Sequence, residues 1–144
     1  YPLLGRVYFN LVVNFTPAVL EGLLYLCFLK QGGYIALYLK GGTVYLQYRD
    51  VTYSLQNKVQ QNQPYIVKAY LLNKNLYLSL GSELKTFKFT ETFEFISPFY
   101  VGGVPIRLPE RVSGNVLKPF VGSISNVTLN GIMYRISDML RYNM

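Results

Sequence analysis

An antiparallel all-β domain of two packed sheets is what this 144-residue sequence predicts. Three observations carry the prediction: apolar residues recur with period two, turn signals arrive about every ten residues, and the runs between turns are too short for crossover helices. Strands are expected near 6–15, 22–29, 34–39, 43–49, 52–57, 65–72, 75–80, 85–90, 98–102 and 119–130.

The second element, "LLYLCFL" from Leu23 to Leu29, is the longest apolar run and has a strand's length, far short of the ~20 residues that a membrane-spanning helix needs. In the third, Ile35, Leu37 and Leu39 alternate with Tyr34, Ala36 and Tyr38; in the fourth, Val44, Leu46 and Tyr48 alternate with polar residues; in the seventh, Leu76, Leu78 and Leu80 alternate with Tyr77 and Ser79. Each set places one face in a core. Breaks fall at Gly32-Gly33, Gly41-Gly42, Gln63-Pro64, Asn73-Lys74-Asn75 and Gly81-Ser82, residue types that supply turn conformations. Along "YIVKAYLL", Tyr65, Val67, Ala69 and Leu71 share one face and Ile66, Lys68, Tyr70 and Leu72 the other.

Near the end, the apolar phase slips between Ile124 and Val127, the signature of one extra residue in a bulged strand. Asn130-Gly131 offers the φ > 0 pair of a tight hairpin turn. Beyond it, Ile132, Ile136, Met139 and Leu140 fall at helical spacing, so a short amphipathic helix is expected to close the chain. Gly102-Gly103 follows the aromatic run "FY" and is expected to need φ > 0 in at least one residue.

The length fits one domain, 1–144, and the start at Tyr1, close to a strand, reads as a fragment of a larger chain. Lys and Arg number 14 against 7 Asp and Glu, a net charge of +7 that favours polyanionic partners. The cations are scattered, which is also how an ordinary solvated surface looks. Cys27 is the single cysteine, so no disulfide forms within the chain, and its apolar setting marks it as a buried, inert thiol.

The absence of histidine removes Ser-His and Cys-His nucleophilic pairs, histidine general bases and most zinc sites. Carboxylate pairs drawn from Glu83, Glu91, Glu94 and Glu110 could formally serve glycoside hydrolysis, but all four sit beside strand ends, where acidic residues are ordinarily solvated. There is no P-loop, no dinucleotide fingerprint and no aspartate-rich calcium loop. The expectation is that the chain is not an enzyme and takes no cofactor. Single-stranded nucleic acid readers interleave aromatics and cations on one sheet face. Here Lys68 stands as a lone cation among Ile66, Tyr70 and Leu72, so no nucleic-acid partner is expected.

Three stretches stand out together: "GLLYLCFLKQGGYIALYLKGGTVYLQY" (Gly22–Tyr48), "FYVGGVP" (Phe99–Pro105) and "FVGSISNVTLNG" (Phe120–Gly131). In order and near spacing they resemble the laminin G-like domain of laminin α chains, neurexins, agrin and perlecan. The resemblance implies a two-sheet jelly roll, laminin G-like and concanavalin-like. It also implies an extracellular recognition module, part of a secreted matrix protein or a membrane-protein ectodomain with neighbouring domains. Departures are equally informative. The Trp-His pair of many members is missing from "QNQPYIVKAY" (Gln61–Tyr70), and Ser123 stands where a disulfide cysteine is usual. Calcium-binding members carry an aspartate where this chain has Gly33, which leaves only Asp50 and nearby carbonyls for a cation that prefers charged oxygen ligands. No metal is therefore expected.

By analogy, the binding rim comprises Lys30 to Gly33, Arg49 to Thr52 and Thr90 to Pro98. Sulfated glycosaminoglycans, or cell-surface and matrix proteins, are the implied partners, without membrane insertion. Candidate glycan-binding cations are Lys30, Arg49, Lys58, Arg107, Arg111 and Lys118. Asn14 and Asn126 head N-x-T sequons and are candidate glycosylation sites. Two other classes compete: a structural sandwich that mediates assembly with no ligand of its own, and a lectin-like jelly roll that holds a neutral sugar against tyrosines.

Overall fold

The computed structural model describes residues 9–30, 32–91, 95–103 and 118–135, with side chains of 95–98 and 134–135 left aside. The strands are β1 (Asn10–Pro17), β2 (Gly22–Leu29), β3 (Tyr34–Lys40), β4 (Thr43–Tyr48), β5 (Val51–Lys58), β6 (Tyr65–Leu72), β7 (Asn75–Leu80), β8 (Glu83–Lys88), β9 (Phe95–Val101), β10 (Gly122–Leu129) and β11 (Ile132–Arg135). All ladders between them are antiparallel. One sheet has the order β11-β10-β1-β6-β7-β8 and the other β5-β4-β3-β2-β9.

The core lies between the sheets. It takes Leu11, Val13 and Phe15 from β1, Val67 and Ala69 from β6, Leu76, Leu78 and Leu80 from β7, and Ile35, Leu37 and Leu39 from β3. These are the period-2 sets, so alternation in the sequence maps onto one inward face per strand. The five-stranded sheet departs from that rule. Leu23, Leu26 and Phe28 of β2 and Tyr34, Ala36 and Tyr38 of β3 form a second buried cluster on its outward side. Both strands are thus buried on both faces, which is why β2 reads as an unbroken apolar run.

The slip in β10 is a bulge. Asn126 pairs with Asn14 and Ile124 with Phe15, so Ser125 is the extra residue. Asn130 and Gly131 adopt φ 53° and 87°, and the Asn130 Oδ1 accepts from the Asn10 N–H at 2.8 Å, tying the hairpin to β1. The turn delivers the chain back along β10, and Ile132–Arg135 pairs as β11. The amphipathic helix expected from Ile132 onward is therefore overturned for 132–135: pairing with β10 outweighs a helical spacing carried by few residues, and 136–144 lie outside the described residues. Gly102 has φ 80°, as the turn after β9 requires, whereas Gly103 lies outside the left-handed region. Cys27 is buried, and its thiol donates to the Phe28 carbonyl at 3.7 Å.

The side opposite β9 is where the sheets are stitched. β5 and β8 are edge strands of different sheets. The Glu83 carboxylate accepts the backbone N–H groups of Gln56 and Asn57, both at 2.7 Å. An open strand edge is thereby given partners from the other sheet.

Candidate functional site

The turns 29–34 and 48–51 meet at one end of the sandwich, because β3 pairs with both β2 and β4. Gly32 and Gly33, at φ 103° and 83°, close the first turn, and the Leu29 N–H donates to the Gly33 carbonyl at 3.0 Å. Arg49, itself at φ 54°, donates its N–H to the Tyr34 carbonyl at 2.9 Å. Gln47 Nε2 then donates to the Arg49 carbonyl at 2.9 Å and to the Tyr34 hydroxyl at 3.3 Å, fixing the turn. The Arg49 side chain lies against Gly33: a Cβ on that glycine would meet Arg49 Cγ at 3.1 Å and Nε at 3.4 Å. Lys30 is exposed at the same end. Beneath it, the Tyr48 hydroxyl donates to Glu91 Oε1 at 3.2 Å. Burial pushes the Tyr48 phenol above its ordinary range, and the Glu91 carboxylate adds to the effect.

Gly33 stands where the resemblance implies an aspartate in calcium-binding members, and the Arg49 side chain packs against it. Among the described residues no group of three or more His, Cys, Asp or Glu could hold a metal ion. Lys30 and Arg49 give this end two cations, set beside the carboxylates of Asp50 and Glu91.

Lys58 and Lys118 do not join that end. Lys58 closes β5 at the opposite end, in register with Thr43, which also pairs with Lys40. Lys118 is there too, its carbonyl accepting from the Leu23 N–H and its ammonium 3.1 Å from Glu21. That pair is more than half exposed on both sides, so it adds little stability. Arg107 and Arg111 lie outside the described residues; the chain on either side, at Gly102 and Phe120, is joined by a hydrogen bond of 2.8 Å at this second end. A six-residue strand such as β4 spans about 20 Å, so Lys58 and Lys118 are well separated from Lys30 and Arg49.

Sequence reasoning missed a third feature, a groove of about 610 Å³ on the outward face of the six-stranded sheet. It crosses β10, β1, β6 and β7 and is lined by Asn14, Thr16, Ile66, Lys68, Ser79 and Ser125, among others. Ser125, the bulge residue, is exposed there, and its hydroxyl donates to the Asn14 carbonyl at 3.4 Å. The phase slip was the available signal, since a bulge re-aims a side chain. Asn14 and Asn126, the two sequon residues, are direct register partners on this face.

Two of the four carboxylates considered for hydrolysis have structural work. Glu83 caps the β5 edge and Glu91 accepts from Tyr48. Glu94 and Glu110 lie outside the described residues.

Comparison with known proteins agrees with this architecture. Domains LG4-5 of the mouse laminin alpha1 chain are similar at TM-score 0.77 and 16% identity, over 90% of this chain and 37% of that one. The LG1-3 region of the laminin alpha2 chain is similar at TM-score 0.72 and 17% identity, over 92% of this chain and 24% of that one. The CBM40 of the Ruminococcus gnavus IT-sialidase, bound to α2,3 sialyllactose, is similar at TM-score 0.60 and 19% identity, over 94% and 82%. The chain thus spans well under half the length of either laminin chain. No curated protein matches it by sequence. The profile of the Laminin G domain family matches residues 15–132, most of the chain, and this protein therefore belongs to the laminin G domain family.

Proposed function

We propose that the domain is a calcium-independent glycan-recognition module, not an enzyme, of an extracellular multidomain protein, and that it grips sulfated glycosaminoglycan through loop-borne cations. Laminin G domains are often found in extracellular proteins, and a neighbour of similar fold holds a sialylated sugar. The observation that carries the reading is the Arg49 side chain laid over Gly33, which puts a permanent cation where calcium-binding relatives would need a metal. A guanidinium meets sulfate through paired hydrogen bonds and needs no metal to bring in positive charge. Lys30 beside it and the +7 net charge extend the field.

Heparin chromatography tests this. The protein is expected to be retained at about 50 mM salt, where screening is weak, to elute earlier as salt rises, and to behave identically with a calcium chelator present. The Lys30→Ala/Arg49→Ala variant is expected to elute at clearly lower salt. Flow-through of the unmodified domain at about 50 mM sinks the reading. The separation of Lys30 and Arg49 from Lys58 and Lys118 favours one alternative in that event, a structural sandwich that mediates assembly with no ligand of its own.

A further inference from the structure

We propose that the groove on the outward face of the six-stranded sheet is a second saccharide site, one that takes a sugar unit carrying a single carboxylate. The inference rests on the reading of the domain as a glycan-binding module, but uses none of the cations assigned to the loop end. Its polar set is mixed in the way a sugar requires. Asn14 offers an amide, and Thr16, Ser79 and Ser125 offer hydroxyls, each able to donate and accept. Ile66, 49% exposed, gives the apolar surface on which the C–H face of a pyranose can rest. The volume lies within the range of ligand pockets.

Charge then narrows the class. Among the described residues lining the groove, Lys68 is the one charged side chain and none is a carboxylate. It is exposed and makes no salt bridge among the described residues, so its charge is available. A single ammonium balances one carboxylate. A multiply sulfated disaccharide would leave charges without partners, which separates this groove from the loop end. The site is also built and not incidental: the β10 bulge turns Ser125 to the same side as Asn126, next to Asn14, while the β6–β7 register sets Lys68 directly against Ser79. Distant parts of the chain converge on it: β1, the β6–β7 hairpin and β10.

The probe is the isotope-labelled 144-residue chain made in bacteria, unglycosylated, titrated with glucuronic acid and N-acetylneuraminic acid, with glucose as the neutral control. Saturable amide shifts are expected at Asn14, Lys68, Ser79 and Ser125 with at least one acid and not with glucose. Lys68→Ala is expected to weaken the binding on the order of tenfold, the effect of one charge-assisted contact. The same variant should keep its Tm, because Lys68 is exposed, and should shift heparin elution far less than the loop-end variant does. Equal response to glucose, shifts confined to Lys30 and Arg49, no shifts with either acid, or indifference to Lys68→Ala each overturns the proposal. So does mass spectrometry of the secreted protein showing an N-glycan on Asn14, since the groove would then hold the chain's own sugar. Groove shifts without heparin retention would remove the sulfated-glycan reading alone; heparin retention without groove shifts would remove this one alone.

Discussion

The two sheets bury their residues differently. At the centre of the five-stranded sheet, β2 is buried at all eight positions and β3 at six of seven, so both faces are committed to packing there, while β4 alternates and β5 is largely exposed. In the six-stranded sheet, β1 and β7 alternate strictly between buried and half-buried positions, and β6 leaves Ile66, Lys68 and Leu72 exposed. A sheet buried on both sides constrains nearly every side chain by volume. One with a solvated face fixes every second residue and frees the rest for recognition. The groove belongs to the second kind.

The largest expected effect tests that contrast directly. Leu26 is fully buried in the outward cluster of the five-stranded sheet, and Leu26→Ala should cost about 2–5 kcal/mol through lost transfer energy and a residual cavity. Ile66→Ala occupies the outward face of the other sheet and should cost about 0.5 kcal/mol or less. Urea unfolding of the two variants reads the difference as a shift in midpoint at constant slope. Equal losses would break the comparison.

A smaller effect is expected where the two sheets are joined. Glu83, from the six-stranded sheet, is the acceptor for two N–H groups of the β5 edge, and Glu83→Ala leaves both to water. Hydrogen bonds to a charged group give about 1.5–3 kcal/mol, and solvent at this exposed seam reduces that, so a loss of about 1–2 kcal/mol is expected. Hydrogen exchange should accelerate at Gln56 and Asn57 and stay unchanged along β1. Protection that survives at those two amides would show the seam is held by other contacts.

How much of this was legible in the sequence follows the same division. Period-2 alternation placed β3, β4 and β7 within a residue of their ends, because each strand has one core-facing set. Ile124 and Val127 betrayed the bulge and Asn130-Gly131 the hairpin, both local signals. The strand β11 was missed because four residues carry almost no periodicity, and only pairing with β10 decides them. Turn residues located Lys30 and Arg49 correctly at chain reversals. That the first pair share an end with each other and not with Lys58 or Lys118 depends on strand direction across a whole sheet. The Arg49–Gly33 contact and the groove depend on register and on the order β10-β1-β6-β7, neither of which has a local signature.

The smallest effect appears only in alkali. Tyr48, from the five-stranded sheet, donates its hydroxyl to Glu91, which follows β8 of the six-stranded one, and its ring meets Phe89 edge-on at a centroid distance of 4.9 Å. Burial, then the Glu91 hydrogen bond and charge, hold the phenol above its ordinary range, so the folded state keeps the proton more tightly than the unfolded chain. A folded-state pKa above the unfolded one contributes stability that is fully present below about pH 10 and is lost as the pH rises through the folded value. Tm measured upward from pH 9 should therefore fall, and fall less steeply in Tyr48→Phe, with no difference between the proteins in slope near neutrality. Tyr53 is shifted the same way, by burial and by Glu91, so Tyr48→Phe/Tyr53→Phe should flatten the alkaline limb further. Glu91→Gln separates the causes: it removes the carboxylate but not the burial, so it should keep most of the alkaline slope. A Glu91→Gln profile as flat as that of the double phenylalanine variant would make the carboxylate, and not burial between the sheets, the dominant cause.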